Sequence, residues 1–200
     1  MRLLLTSLGL TTEKLQEAIK KLLVKPIEQN KVKIIAIDTV SQLYQELLKR
    51  EIQRLIETGF PQENISIHDL SKDDPLNIKD MDVIEMFGGN NFHYLKRLRE
   101  TGLTEGIRGF IDGGGVYVGV SAGSMIMGPD VDENLTFDVN DVGLKDLSGF
   151  GYVDFYILPH WDWRDNRWKA LRHVWITGKH MVPLTDRQGI LVYDHDCEII

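Results

Sequence analysis

The chain has 200 residues, a formal net charge of −7 and one cysteine, Cys197. One cysteine excludes an intrachain disulfide framework and a Cys-rich zinc site. The lysines and arginines are scattered through an acidic chain, which argues against the cationic stripe of a nucleic-acid binder.

A chain of this length buries roughly 70 % of its unfolded surface, so it needs neither disulfide nor metal to hold a core. Leu3 to Leu5 is too short for a signal-peptide core or a membrane span. The expectation is a cytoplasmic protein with no membrane partner.

Strand-like and helix-like segments alternate. Leu3 to Ser7 is a short apolar run. Thr12 to Val24 places Leu15, Ala18, Ile19, Leu22 and Leu23 at helical spacing, with Pro26 beyond. Lys33 to Ile37 is the next strand candidate. Ser41 to Thr58 carries Leu43, Leu47, Leu48, Ile52, Leu55 and Ile56 at helical spacing, with Gly59 as a stop. Asn64 to His68 and Val83 to Phe87 follow as strands. Helical periodicity returns at Phe92, Leu95 and Leu98 and again over Thr104 to Ile111. Val116 to Val120 is the fifth strand. From Val131 to Leu158 the pattern loosens and suggests antiparallel structure. Asp165 to Thr177 reads as a last helix, and Met181 to Leu184 and Gly189 to Tyr193 as closing strands. No repeat, low-complexity tract or linker interrupts the chain, so residues 1–200 read as one α/β domain.

Strands apolar along their whole length belong to a parallel sheet covered by helices on both faces. In such sheets sites form beyond the carboxyl ends of the strands. Two loops stand there: Gly88-Gly89-Asn90-Asn91, and the segment Gly119-Val120-Ser121-Ala122-Gly123. The second fits the G-x-S-x-G nucleophile elbow, with a strand before it and a helix after. So sharp a turn presses the residues two before and two after the serine together, which explains the glycines. The bland alternative is a glycine-rich turn with an N-cap serine. Gly89 is a natural second oxyanion donor, because glycine lets the backbone approach closely.

A serine hydroxyl needs a base. Six histidines compete: His68, His93, His160, His173, His180 and His195. His160 ends an apolar segment and suits a sheet rim; His93, beside the glycine loop, is second. An acid must stand behind the base. Asp186 follows a strand candidate, and Asp154, Asp162 and Asp165 also lie close in sequence to His160 or the strands around it. Spacing does not choose among them. No phosphate-binding loop, H-E-x-x-H or tight group of metal ligands is present, so no cofactor and no metal are expected.

Taken together, "FGGNNFHYL", "GVSAGS", "LSGFGYVDFYILPHW" and "PLTDRQGILV" occur in the order seen in the dipeptidase E family of serine peptidases, which includes aspartyl dipeptidase and cyanophycinase. The chain resembles that family over most of its length. The resemblance implies a three-layer α/β/α sandwich with a mostly parallel central sheet, similar to the class I glutamine amidotransferase domain and flavodoxin-like. It puts the nucleophile on Ser121, the base on His160, the oxyanion donors on Gly89 and Ala122, and the third triad member on Asp186. Aspartyl dipeptidase carries a glutamate at that last position, so the match is by role. The order Ser, His, Asp differs from that of the α/β-hydrolases.

The implied activity is hydrolysis of short peptides with an N-terminal aspartate. A substrate carboxylate needs a cation, and arginine is the suited donor. Arg164 and Arg167, with Arg172 beyond, follow His160 and are candidates, as is Asn90 in the glycine loop; exposed helix charge is their plainer explanation. Trp161, Trp163 and Trp168 are read either as a pocket wall or as the cover of the helix base. The partner is a small peptide, and a homodimer is the assembly left open. A different acyl hydrolase and a non-catalytic binding protein are the rival readings.

Overall fold

The structure, a computed structural model, describes residues 1–37, 41–72, 76–163, 165, 167–194 and 196–200. Of the residues singled out above, Arg164 and His195 lie outside the described ones.

In chain order the elements are β1 (Arg2–Thr6), α1 (Glu13–Leu22), β2 (Val32–Ala36), α2 (Gln42–Thr58), β3 (Ile65–Asp69), β4 (Val83–Met86), α3 (Asn91–Glu100), α4 (Leu103–Asp112), β5 (Val116–Val120), α5 (Ala122–Met125), β6 (Tyr156–Leu158), α6 (Arg167–Thr177), β7 (Met181–Pro183), β8 (Gly189–Tyr193) and β9 (Asp196–Ile199). The local signals explain the boundaries. Thr12 and Ser41 cap α1 and α2 by accepting the N–H groups of Leu15 and Tyr44. Gly59, at φ +121°, ends α2 by donating to the carbonyls of Leu55 and Ile56.

Seven strands form one sheet in the order β3-β2-β4-β5-β1-β8-β9. The first five are parallel; β8 runs antiparallel to β1, and β9 antiparallel to β8. Alternate residues feed two cores. Leu3, Leu5, Ile35, Ile84, Met86 and Tyr117 face α3 and α4. Leu4, Ile34, Val83, Val116 and Val118 face α1 and α2. This is the expected sandwich with a mostly parallel sheet.

Two regions stand outside the main sheet. In the loosely patterned stretch 131–158 the described residues form no strand before β6; the antiparallel pairing there is the bridge Asp130 to Ser148, flanked by Val131 N–H to Leu147 O and Gly149 N–H to Pro129 O. The strand expected at Met181 to Leu184 forms over Met181–Pro183. It pairs in parallel with β6, as Tyr156↔Met181 through Leu158↔Pro183. β9 carries the residues DCEI, all exposed, and no apolar alternation marked it in the sequence. Among the described residues no helix is long and apolar enough to cross a membrane.

Among the described residues the α1–α2 layer holds one buried carboxyl without a hydrogen-bond partner. Glu85, on β4, pairs in register with Ile34 and Val118, is fully buried, and neither carboxyl oxygen has a hydrogen-bond partner. Burial, then the charge of nearby Glu51, push its pKa well above 4.5, with Arg54 pulling the other way. Glu51, on α2, is raised too, by burial; its hydrogen bonds from Arg54 and Leu10 oppose the shift. A buried carboxyl is cheaper neutral than charged. The folded state therefore keeps this proton above the pH at which the unfolded chain releases it, and stability falls as pH rises from about 4.5 towards the folded pKa. Glu85→Gln removes that proton linkage. Urea titrations across a pH series are expected to show wild-type stability declining relative to the variant, by at most about 1.4 kcal/mol per pH unit. Parallel profiles would mean that Glu85 is not protonated in the folded chain.

Candidate active site

Ser121 stands on the turn between β5 and α5 with φ 52° and ψ −109°. That left-handed conformation costs a non-glycine residue on the order of 1–3 kcal/mol. The surroundings hold it there. Ser121 N–H donates to Thr6 O at 3.0 Å, and its carbonyl accepts from Ser124 and Met125. The two glycines follow from space. A Cβ on Gly119 would lie 2.7 Å from Gly123 O, and one on Gly123 would lie 2.0 Å from Met86 O. Only bare backbone passes there.

His160 arrives from β6 and Asp186 from β7. The pairing Leu158↔Pro183 continues into Leu184 N–H to Leu158 O and Trp161 N–H to Leu184 O, both 2.9 Å. The two residues thus leave the small sheet side by side. Asp186 also precedes β8, whose first residue, Gly189, pairs with Thr6 at the end of β1. The antiparallel turn of β8 therefore delivers Asp186 to the rim where β1 and β5 end. His160 Nε2 lies 2.9 Å from Ser121 Oγ, and His160 Nδ1 lies 2.6 Å from Asp186 Oδ1. The histidine itself has φ +60°.

Ser7, the first residue after β1, was not singled out by the sequence. It is fully buried, its Oγ donates to Asp186 Oδ1 at 2.8 Å, and the same Oγ accepts His160 N–H at 2.7 Å. One hydroxyl thus fixes both the carboxylate and the backbone of the histidine. Its place beyond the carboxyl end of a parallel strand was the available signal.

The glycine loop after β4 faces the serine: a Cβ on Gly88 would lie 3.6 Å from Ser121 Cβ. Gly88 O accepts the hydroxyls of Tyr44 at 2.7 Å and Tyr94 at 3.4 Å. Burial pushes the Tyr94 phenol well above 10, so it stays a donor. A trans peptide points its N–H opposite its carbonyl, so anchoring Gly88 O turns Gly89 N–H away from the tyrosines. At Gly89 a Cβ would meet Ile37 Cγ2 at 2.8 Å. Among the described residues neither Gly89 N–H nor Ala122 N–H has an acceptor.

A cavity of about 310 Å³ opens on this group, lined by Leu8, Tyr44, Leu47, Arg54, Phe87, Gly88, Gly89, Val120, Ser121, His160 and Asp186. A larger one, about 710 Å³, lies at the opposite rim beside Arg2, Asp82 and the Gly113-Gly114-Gly115 turn. Among the described residues no serine, cysteine or histidine lines it.

The other candidates fall elsewhere. Asn90 spends its side chain capping α3, accepting from Phe92 and His93 and donating to Val139 O. Arg167 begins α6, is exposed and does not line the cavity. Trp168 is 83 % exposed, and Trp161 lies against Leu135, Leu158 and Ala170. His93 pairs with Asp141 and His173 with Asp132. Asp154, Asp162 and Asp165 are exposed. Among the described residues no group of three or more His, Cys, Asp or Glu side chains could hold a metal ion.

Several known peptidases resemble this chain. An uncharacterized peptidase of Pasteurella multocida is 38 % identical over 82 residues, 40 % of each chain. Peptidase E of Shewanella sp. (strain ANA-3) is 31 % identical over 140 residues, 69 % of this chain and 57 % of that one. The matched stretches thus span about two fifths to three fifths of those relatives. A crystal structure of a protein assigned as peptidase E from Listeria monocytogenes EGD-e superposes with a TM-score of 0.78 at 21 % identity, covering 100 % of this chain and 97 % of that one, which shows the shared fold. A family model, peptidase family S51, matches residues 3–200, and the chain belongs to that family.

Proposed function

We propose that this chain is a serine exopeptidase of the dipeptidase type, hydrolysing short peptides through Ser121, His160 and Asp186. The observation that carries the reading is the unbroken chain of contacts from Ser121 Oγ to His160 Nε2 and from Nδ1 to Asp186, at the wall of a small cavity. A volume of about 310 Å³ lies at the lower end of small-ligand sites and suits a dipeptide better than a protein loop.

Asp186 accepts from Nδ1–H, which leaves the Nε2 lone pair facing the serine hydroxyl. In the first step Ser121 Oγ attacks the peptide carbonyl while its proton passes to Nε2. The new C–O bond leaves negative charge on the carbonyl oxygen, which the N–H groups of Gly89 and Ala122 receive. The C–N bond then breaks, and the Nε2 proton goes to the departing amine. Water repeats the sequence on the acyl-enzyme, giving its proton to His160 and releasing the acid and the free serine. Asp186 keeps its charge throughout and stabilises the imidazolium between the steps. An N-terminal aspartate as the preferred first residue is part of this proposal.

A fluorophosphonate probe is expected to label Ser121, and Ser121→Ala to abolish labelling and lower dipeptide turnover at least about a thousandfold. A panel of Asp-X dipeptides, other dipeptides and simple esters ranks the substrates. An unlabelled wild type that hydrolyses none of them would leave a binding protein; ester turnover alone would leave a different acyl hydrolase. Ser7→Ala removes a hydrogen bond to a charged group. It is expected to lower kcat about tenfold with KM little altered, since Ser7 positions Asp186 and does not line the cavity. Steady-state kinetics on the best dipeptide check it; an unaltered kcat would show that the other contacts suffice to hold Asp186.

A further inference from the structure

The cavity beside Ser121 is mostly apolar, with Leu8, Tyr44, Leu47, Phe87 and Val120 in its wall. Beside the tyrosine, the lining holds an imidazole, a carboxyl and a guanidinium: His160, Asp186 and Arg54. The first two are engaged with each other, with Ser121 and with Ser7. Arg54 is the cation left.

Its attachment is one-sided. Arg54 Nη1 donates to Leu8 O and to Glu51 Oε2, both at 2.8 Å, and these two bonds use both of its N–H groups. Glu51 is in turn fixed by Leu10 N–H on its other oxygen, at 2.9 Å. Among the described residues Nε and Nη2 of Arg54 have no acceptor. These two nitrogens form the edge of a guanidinium that takes a carboxylate through two parallel hydrogen bonds. Glu51 thus holds the fork rigid from behind, so a ligand need not order it. Burial raises the Glu85 pKa well above 4.5, which disfavours a second negative charge near Arg54. In an apolar cavity, screened less than in water, such a pair is worth more than at the surface.

We propose that Arg54 is the residue of this cavity that receives the carboxylate of a short peptide substrate. This rests on the reading of Ser121 as nucleophile and replaces Arg164 and Arg167 as the cation. The carboxylate has two sources, an acidic first side chain or the free C-terminus of a dipeptide.

The test uses the full chain and three probes: Asp-Leu, its isostere Asn-Leu, and Asp-Leu amide. In the wild type, kcat/KM is expected to favour the carboxylate-bearing member of one pair at least about tenfold. In Arg54→Met that ratio falls to near one. Whichever ratio collapses, Asp against Asn or free acid against amide, names the source. Arg54→Lys keeps a point charge without the fork and is expected to fall between. Calorimetric titration of Ser121→Ala with the same peptides gives a readout without turnover: Asp-Leu binding at least about tenfold weaker in the Ser121→Ala, Arg54→Met double variant. Fluorophosphonate labelling of Ser121 in Arg54→Met, whatever its rate, shows that the nucleophile survives, which separates this proposal from the reading beneath it. An equal loss for all three peptides, in turnover and in binding, would make Arg54 only a tie between α2 and the loop after β1. Ratios unmoved by the substitution would overturn the proposal equally.

Discussion

Everything at this rim depends on a backbone contact. Gly123 passes so close to Met86 O that no side chain fits between them, and Gly119 lies as tightly under Gly123. Two neighbouring parallel strands, β4 and β5, can approach this way only if the turn leaving one of them is bare. The reward is a serine lifted clear of the sheet in a conformation it would not otherwise adopt, anchored by Thr6 O on the next strand. The glycines, the strained dihedrals and the anchoring hydrogen bond are one feature seen from three sides.

The second half of the site is built differently. His160 and Asp186 sit on a separate two-stranded unit that must reach the rim from outside the main sheet. Three residues of pairing between β6 and β7 are a short lever, and the hydrogen bonds through Leu184 and Trp161 extend it. Ser7 then ties the unit to β1, giving its proton to Asp186 and accepting from the backbone of His160. The site is thus closed by a hydroxyl from the same strand that anchors Ser121. β1, paired with β5 on one side and β8 on the other, is the common frame.

Behind the cavity lies a third arrangement, more costly than the others. Two buried carboxyls, Glu85 without a hydrogen-bond partner among the described residues and Glu51 paired with the half-buried Arg54, fill space that leucine would fill more cheaply. The arrangement holds one guanidinium in the wall of the cavity that Ser121 also lines, which gives a physical reason for polar groups in an otherwise apolar layer.

The sequence by itself determined the parallel sheet, its five apolar strands and the elbow around Ser121, because these are written in short-range patterns: continuous apolar runs, helical spacing and two glycines at fixed offsets. It ranked His160 first among six histidines by its place at a strand end, but Asp186 stood level with other aspartates until a family resemblance favoured it. The tertiary structure decided the rest. Strands of three residues have no period to read, so the β6–β7 pairing that sets His160 beside Asp186 was invisible, as was β9 with its exposed DCEI. Arg54 reads in sequence as one more charge on an amphipathic helix, no different from Arg167. Only the packing of α2 against the loop after β1 turns one of them into the cavity and leaves the other at the surface.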